Sequence, residues 1–251
     1  MLLRVRVGGV TLNGLAATGF IIAPDGFVGW DESTATKRDS VPLPQAHGSF
    51  AVRGFRDNRV LTVSGTCLAD SEQQLRFFGN QLTGTGADGT AIRVTVDHSG
   101  STTWADGYLD GETKFSMFAT GQAATFAIQF WFPSPRKLGN TLTFASGVPA
   151  YHYGNFPAAP VLTVTAITTM SGYTIAGPAG KLYTVTVACN PGHPHTIDMA
   201  TGQLVADGTI STASVSQGDT WTIPGGARVV HTLTPVSGSG SLGVAVTDTF
   251  I

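Results

Sequence analysis

The chain has 251 residues, a length that allows two modest domains or one large sandwich or barrel. Its formal net charge of -2 leaves no basic excess to attract nucleic acid or anionic lipid, so we expect no sequence-specific nucleic-acid binding. Only 12% of the residues are charged, whereas 32 are glycine, a composition that favours short strands and many turns.

Neither secretion nor membrane insertion is expected from the sequence. At the N-terminus, Arg4 and Arg6 interrupt the apolar stretch that could act as a secretory signal. The stretch between Lys137 and Lys181 contains no charged residue, but prolines, glycines and threonines interrupt it, unlike a membrane-spanning helix. We predict water-soluble β structure there.

Charge density falls sharply along the chain. Residues 1–137 hold 12 basic and 12 acidic side chains, whereas residues 138–251 hold two basic and four acidic ones. The change falls in a stretch rich in proline and glycine, 133–160, where X-Pro pairs disfavour helix. We therefore predict two domains, 1–138 and 139–251, joined within this stretch.

In residues 1–138, apolar and polar residues alternate as they do in β-strands, and we predict a β-sandwich. The predicted strands are 2–7, 50–55, 59–67, 91–96, 114–118 and 124–132. One short helix is predicted over 70–82, with Asp70 as its N-cap and apolar residues at helical spacing. This helix should lie against a sheet.

Residues 139–251 contain short β-rich runs separated by glycine- and proline-containing connections, the pattern of a second β-sandwich. The runs are 161–165, 182–187, 220–223, 228–233 and 242–246. No segment of this module has helical periodicity with caps, so essentially no helix is expected in it. The whole chain is therefore predicted to be mainly β.

Glycine-rich sequences are assigned to turns. Five of the sixteen acidic residues stand directly before glycine, a hairpin-turn signal: Asp25, Asp88, Asp106, Asp110 and Asp207. Two G-x-G-x-x-G matches, 84–89 and 238–243, lack the preceding strand and following helix of a dinucleotide site. The sequence has no P-loop, G-x-S-x-G elbow or H-E-x-x-H motif, and we expect neither enzyme activity nor a cofactor.

One group of residues could hold a metal ion. His193 and His195 would point to the same face of a strand, with Asp198 close by in sequence. A structural zinc ion needs four ligands and a catalytic one three, and Asp198 would point to the opposite face, so we predict no metal site. The other histidines are single and expected at surface or interface positions: His47, His98, His152 and His231.

Aromatic residues could form a sugar-stacking platform, although core positions are the commoner use. We expect Trp131 and Trp221 in the cores, and Tyr151 with Tyr153 as an exposed pair beside the linker. The four tryptophans are Trp30, Trp104, Trp131 and Trp221. Two cysteines, at 67 and 189, lie in apolar alternating runs that fit buried thiols as well as halves of a disulfide, and we favour thiols.

The order of these features resembles that of the distal tail proteins (Dit) of siphophages, also called minor tail proteins, over nearly the whole chain. In the first module, a segment with Gly29, Arg38 and Asp39 is followed by His47-Gly48, by the run 59–67 and by a short helix. This order is similar to the family's N-terminal belt domain.

The second module resembles the family's C-terminal galectin-like sandwich. It contains Gly154-Asn155, a proline-led strand at 160–164 and Ile197-Asp198. Trp221 then precedes a glycine turn at 225–226. The order and spacing of these motifs agree with the family pattern.

The resemblance implies a structural protein of the phage tail tip or baseplate. Six belt domains would close into a ring that joins the major tail tube protein to the tail-tip hub protein and leaves a channel for tape-measure protein and DNA. A cyclic ring needs a heterologous interface, whose residues the sequence does not identify. The protein would lie in the virion at the distal end of the tail, after assembly in the host cytoplasm.

Two other functions remain open. A carbohydrate-binding module that recognises host-surface glycan would be a monomer with exposed aromatic residues in a groove. A hydrolase with an unrecognised site would need a pocket with titratable groups of shifted pKa. The acidic residues mostly mark turns, so the sequence offers almost nothing for a hydrolase. The resemblance makes the tail adaptor the expected function, ahead of the carbohydrate-binding module.

Overall fold

A computed structural model describes residues 3–14 and 19–251 of the chain. The chain divides into two compact units, unit 1 (Met1–Lys137 with Ile251) and unit 2 (Leu138–Phe250). Strands dominate both units, so the prediction of a mainly-β fold is confirmed. Within the described residues, no helix is long and apolar enough to cross a bilayer.

Unit 1 is built from strands and one α-helix in its described part. These are β1 (Leu3–Val7), β2 (Val10–Leu12), β3 (Gly19–Val28), β4 (Thr36–Lys37), β5 (Phe55–Arg56), β6 (Arg59–Leu68), α1 (Glu72–Gly84), β7 (Ile92–His98), β8 (Ser101–Leu109), β9 (Lys114–Met117) and β10 (Ala123–Phe132). Burial alternates along the long strands, as the sequence pattern predicts. The predicted strand over 50–55 is wrong, because only β5 forms there.

The main strands of unit 1 pair in the order β8-β7-β1-β2-β3-β6-β10-β9. The pairs are antiparallel except β2 with β3. Strand β8 also pairs with β10, so the circuit of pairings closes on itself. Apolar side chains of these strands and of α1 fill one core inside the circuit.

Helix α1 begins one residue later than the sequence suggests. Its N-cap is Ser71, whose hydroxyl accepts a hydrogen bond from the Gln74 amide at 3.2 Å. The Gln74 side chain in turn accepts from the Asp70 amide at 2.7 Å. Asp70 is therefore not the cap, because serine followed by glutamine three residues later forms a capping arrangement instead.

The Asp-Gly pairs divide into turns and strand positions. Asp88 and Asp207 lie in turns and Asp110 lies at the bend between β8 and β9, each followed by a glycine with positive φ. The other two predictions are wrong, because Asp25 lies at an irregular point of β3 and Asp106 lies within β8. Asp106 forms an ion pair with Arg93 on the neighbouring strand, at 2.9 Å. The Asp-Gly dipeptide alone does not distinguish this role from a turn.

Unit 2 is built from strands joined by turns and two short 3-10 helices. The strands are β11 (Lys137–Ala145), β12 (Pro149–Ala150), β13 (Val161–Thr168), β14 (Tyr173–Ala176), β15 (Leu182–Val185), β16 (His195–Asp198), β17 (Gln203–Ala206), β18 (Thr209–Ile210), β19 (Val215–Gly218), β20 (Val229–Val230), β21 (Thr232–Pro235) and β22 (Ser239–Phe250). The 3-10 helices are Pro178–Gly180 and Thr212–Ser214.

The strands of unit 2 form two sheets and a ribbon. One sheet has the order β18-β17-β16-β13-β22-β11, the other β19-β15-β14-β21, and β12 pairs with β20. Buried residues of both sheets share one apolar core, which is the predicted sandwich arrangement. The predicted strand over 220–223 is only a single bridge between Ile223 and Ala158.

The two G-x-G-x-x-G matches have different structures. Residues 84–89 form the predicted turn region between α1 and β7. In the second match only Gly238 lies in a turn, because Gly240 and Gly243 belong to β22. The turn prediction for 238–243 is therefore wrong for most of its length, since alternating serine and glycine are also accommodated in a paired strand.

Two glycines of the galectin-like pattern are required by close backbone packing. A Cβ on Gly154 would lie 2.0 Å from the carbonyl oxygen of Thr249. A Cβ on Gly225 would lie 2.6 Å from the carbonyl oxygen of Gly154. Two neighbouring backbone segments therefore touch where any side chain would separate them.

We expect Gly154→Ala to lower the free energy of unfolding of unit 2 by about 1–3 kcal/mol or more, because the added methyl group forces the backbones apart. Urea unfolding of the full chain, with hydrogen exchange to distinguish the units, measures the loss. Gly243→Ala is the matched control, because its Cβ would meet its nearest neighbour at 3.8 Å. Equal losses in the two variants would contradict the packing argument.

Candidate functional site

Residues 33–58 form a hairpin that we call the arm. Its base is closed by the pairs Thr36 with Arg56 and Lys37 with Phe55. Towards the tip, the Phe50 amide donates to the Val41 carbonyl at 2.9 Å. The arm contains the Arg38, Asp39 and His47-Gly48 positions that resemble the belt domain, none of which lies in the core.

The arm is exposed along almost its whole length. Between Ala35 and Arg53, every residue except Leu43 is exposed. The exposed apolar side chains include Phe50 at 53% and Phe55 at 64%, together with Val41 and Val52. An isolated two-stranded hairpin is only marginally stable in water, so this arm has the composition of a segment that another surface covers.

Arg59 anchors the backbone that leads into the arm. Its Nη1 donates to the carbonyl oxygens of Gly29 at 2.6 Å, Trp30 at 2.9 Å and Glu32 at 2.9 Å. Its Nε donates to the carbonyl of Pro135 at 3.2 Å. The side chain is buried, and this burial lowers the pKa of Arg59 while the negative charges of Glu32 and Asp31 oppose the shift.

A second buried cation converges on the same backbone. Lys137 Nζ donates to the Trp30 carbonyl at 2.6 Å. Burial, and then the nearby charge of Arg59, lower the pKa of Lys137. The Trp30 ring packs edge-on against Phe132, with ring centroids 5.7 Å apart, and its Nε1 donates to Thr103 at 3.1 Å. The base of the arm is therefore held firmly in unit 1.

Gly29 permits this arrangement. Its φ is +97°, and a Cβ there would lie 1.8 Å from the carbonyl oxygen of Val60. Its amide donates to the Glu32 carboxylate at 2.8 Å. The chain thus turns tightly against β6 just before the arm, and a rigid base carries a projecting apolar hairpin, a geometry suited to contact with another protein chain.

Trp131 lies beside the base of the arm and not in the core. It is 38% exposed and packs against Tyr108 with centroids 6.1 Å apart. Its Nε1 can donate to the Asn58 side-chain carbonyl at 3.0 Å. The core prediction for Trp131 is wrong, because neighbours on both sides of it in β10 point inward while it points outward. Trp221 is buried, as predicted.

The two histidines that were considered as metal ligands, and for which no metal site was predicted, have separate environments. His195 is buried, and its Nδ1 lies 3.0 Å from the Tyr173 hydroxyl. His193 lies before β16 and is exposed, with Nδ1 2.5 Å from the Asp207 carboxylate. Asp198 accepts from the Ala200 amide at 2.8 Å. Across residues 3–14 and 19–251, no three His, Cys, Asp or Glu side chains are placed to hold a metal ion.

Two histidines expected at surface or interface positions lie in the interior of unit 2. His152 places one ring nitrogen 3.0 Å from the Ile223 carbonyl, and the other accepts from the Gly154 amide at 3.1 Å. His231 accepts from Trp221 Nε1 at 2.9 Å. Backbone groups bind both nitrogens of His152, and the indole N–H binds His231, whose Nδ1 has no hydrogen-bond partner among the described residues. An isolated histidine in sequence does not reveal such interior positions.

The two cysteines are buried free thiols, as favoured from the sequence. Burial raises the pKa of the Cys67 thiol to about 11 and also raises the pKa of Cys189. Both groups are therefore protonated and unreactive at neutral pH. Cys67 lies in unit 1 and Cys189 in unit 2, and each fills space as a small apolar side chain.

The turn over 84–89 lines a surface groove of about 520 Å³ in unit 1. Its other walls come from Gly8, Gly9 and Val10 at the β1–β2 turn, and from Ile92. The acidic side chain of the groove is Asp88, which binds the amide and hydroxyl of Thr90. This carboxylate stabilises the turn, so the groove offers a ligand mainly backbone groups.

Comparison with known proteins gives a similarity of fold. No protein-family model matches the sequence, and no curated protein is significantly similar to it. Two structures of the phage P2 baseplate in its activated conformation, with Ca and with Sr, match 98% of both chains at 9% identity. Their TM-scores of 0.48 and 0.43 are too low to support an inference.

A stronger similarity is to the crystal structure of SPP1 Dit, described as a paradigm of the hub adsorption apparatus in phages that infect Gram-positive bacteria. The match covers 100% of both chains with a TM-score of 0.75 and 15% sequence identity. From its first strand to its last, the chain therefore has the fold of SPP1 Dit, and the resemblance to the distal tail proteins is confirmed at the level of the fold.

Proposed function

We propose that this chain is a distal tail protein, a structural component of a phage tail tip whose copies form a ring, with six as the expected number. The observation that carries the proposal is the similarity of fold to SPP1 Dit over both complete chains. Because a fold alone does not establish a function, the arm supplies a second argument, from the residues of this chain.

The arm provides the heterologous contact that a ring requires. In a cyclic assembly, one surface of each subunit meets a different surface of the next. A projecting hairpin can lie on a neighbour, where Phe50 and Phe55 would leave water. Full burial of one large apolar side chain stabilises a contact by about 1.5–3 kcal/mol, so several such residues per subunit supply a substantial driving force.

In the proposed assembly, one side of the ring meets the major tail tube protein and the other side meets the tail-tip hub protein. The centre is a channel for tape-measure protein and DNA. The net charge of -2 supports this proposal, because DNA would slide past without being gripped by basic side chains. The protein would lie in the virion at the distal end of the tail.

A structural role also accounts for the polar residues better than catalysis does. Asp88 and Asp207 lie in turns, Asp110 lies at a bend, and Asp106 pairs with an arginine on the neighbouring strand. Buried histidines are hydrogen-bonded within the sandwich core of unit 2. We therefore propose no enzymatic activity for this chain.

The mass of the purified chain in solution tests self-assembly. Six copies of the 26.0-kDa chain give about 156 kDa by light scattering, and negative-stain images of the same peak should show rings. A monomer at every concentration, without rings, would contradict the proposal.

The double variant Phe50→Ser with Phe55→Ser is expected to remain folded but to assemble at least about tenfold more weakly, because the arm loses apolar area without losing any core contact. Sedimentation velocity over a concentration series measures the change. Phe77→Ser is the matched control, since that ring is 57% exposed on α1. Assembly of the arm variant at the same concentration as wild type would remove the arm from the interface.

A further inference from the structure

Unit 2 carries an exposed aromatic strip on the outer face of the β12–β20 ribbon. Tyr153 is 71% exposed, and its ring stands at 85° to that of Tyr151, with centroids 5.5 Å apart. Tyr151 also packs against Phe144, with centroids 5.1 Å apart. One ring therefore forms a half-buried support, and the other projects from it.

Buried polar groups fix this pair in place. His152, between the two tyrosines, points inward, and both its ring nitrogens are hydrogen-bonded to backbone groups. Asp248 is only 6% exposed, and its carboxylate accepts from the Tyr153 amide at 2.7 Å. The next residue, Gly154, packs directly on the backbone of Thr249. The tyrosines are thus presented by a rigid segment, which lowers the entropy lost on binding a ligand.

A cation lies beside the same rings. Residues 138–251 contain only two basic residues, Lys181 and Arg228. Lys181 donates to the Thr220 carbonyl, whereas the Arg228 guanidinium lies 5.1 Å from the centre of the Tyr151 ring. Arg228 is exposed and directly precedes β20, and its guanidinium can pair with a carboxylate or phosphate.

The strip is narrow and elongated. Ala150 and Val229 pair with their side chains inward, so Tyr151 and Arg228 share the outer face with Pro149 and the exposed Val230. The two strands of a ribbon lie only about 5 Å apart, so its outer face is too narrow to supply the roughly 800 Å² that each partner contributes to a stable protein interface. Its shape suits a linear chain of rings.

We propose that the strip formed by Tyr151, Tyr153 and Arg228 binds an acidic oligosaccharide, with a pyranose ring stacked on Tyr153 and a carboxylate or phosphate substituent paired with Arg228. Aromatic faces supply the large rigid contact area that an apolar sugar face needs, and the guanidinium supplies the charge complementarity. This inference is independent of ring formation, because every residue it uses lies within unit 2 of one chain.

The test is isothermal titration of the full-length chain with hexamers of glucose, N-acetylglucosamine and galacturonic acid. We expect the galacturonic acid hexamer to bind best. Tyr153→Ala should weaken that binding at least about tenfold, and Arg228→Gln should abolish the preference for the acidic hexamer over the neutral ones. Phe77→Ala, which removes an exposed ring from unit 1, should leave binding unchanged.

Absence of binding to all three hexamers would overturn the inference, as would binding that survives Tyr153→Ala. If no hexamer binds and Tyr153→Ala instead alters the mass of the assembled chain, the strip is a protein contact and the saccharide proposal is wrong. Loss of rings in the wild-type chain bears only on the tail-adaptor proposal, so the two failures are distinguishable.

Discussion

Arg59→Met is expected to lower the free energy of unfolding of unit 1 by about 3–5 kcal/mol. The substitution keeps the apolar stem but removes the donors to the carbonyls of Gly29, Trp30 and Glu32. Each buried carbonyl that loses its donor costs about 1–3 kcal/mol, while Lys137 still serves only the Trp30 oxygen. Urea unfolding with hydrogen exchange at the β6 and β10 amides measures the effect.

Arg76→Met is the control for this loss. Arg76 makes an ion pair with Glu72 at 2.7 Å, but its side chain is 67% exposed. A pair of this kind on a helix surface contributes roughly 0.3–0.5 kcal/mol. If Arg59→Met and Arg76→Met destabilise unit 1 equally, the buried guanidinium does not hold the base of the arm.

The second large effect is a loss of stability of unit 2 in acid. Burial lowers the pKa of His195 and of His231 below their ordinary value near 6.5. The folded unit therefore holds these rings neutral, and the unfolded chain takes up protons first. The contribution of the two neutral rings to the free energy of unfolding is fully present above about pH 6.5. It is lost as the pH falls through the folded pKa values, at up to about 1.4 kcal/mol per pH unit for each ring.

His231→Gln separates this effect from general acid sensitivity. The glutamine carbonyl can still accept from Trp221 Nε1, but it takes up no proton. Urea unfolding at about pH 7 and about pH 5 should show a smaller difference for the variant than for wild type. His47→Gln, in the exposed arm, should retain the full difference. An unchanged difference in His231→Gln would show that other groups cause the acid sensitivity.

The sequence predicted the mainly-β fold because alternating burial leaves a clear mark on strands such as β6 and β10. It was less reliable where one pattern serves two purposes. Asp-Gly predicts a turn at Asp207 correctly, but at Asp106 the same pair continues a strand. An aromatic residue in a strand also does not reveal whether its side chain points into the core or into solvent, as Trp131 shows.

Most of the candidate site could not be predicted from the sequence. The run 50–55 alternates like a half-buried strand, yet nothing in a pattern says whether the covering surface belongs to the same chain. Arg59 looks like an ordinary polar start of a strand, because its four carbonyl partners lie 27–76 residues away in sequence. The position of Tyr151 and Tyr153 beside the linker predicted an exposed pair, which is correct for Tyr153, whereas Tyr151 is half-buried.

The arm has a consequence for how copies of the chain would assemble into a closed ring. In the proposed ring every copy would both extend a hairpin and receive one, so an open row of subunits would always leave one hairpin uncovered and one receiving surface vacant. The final closure satisfies both at once without recruiting another molecule from solution, so it loses no further translational freedom. Incomplete rows should therefore be scarce at equilibrium, and titration of the chain should pass from single copies to finished circles with little in between.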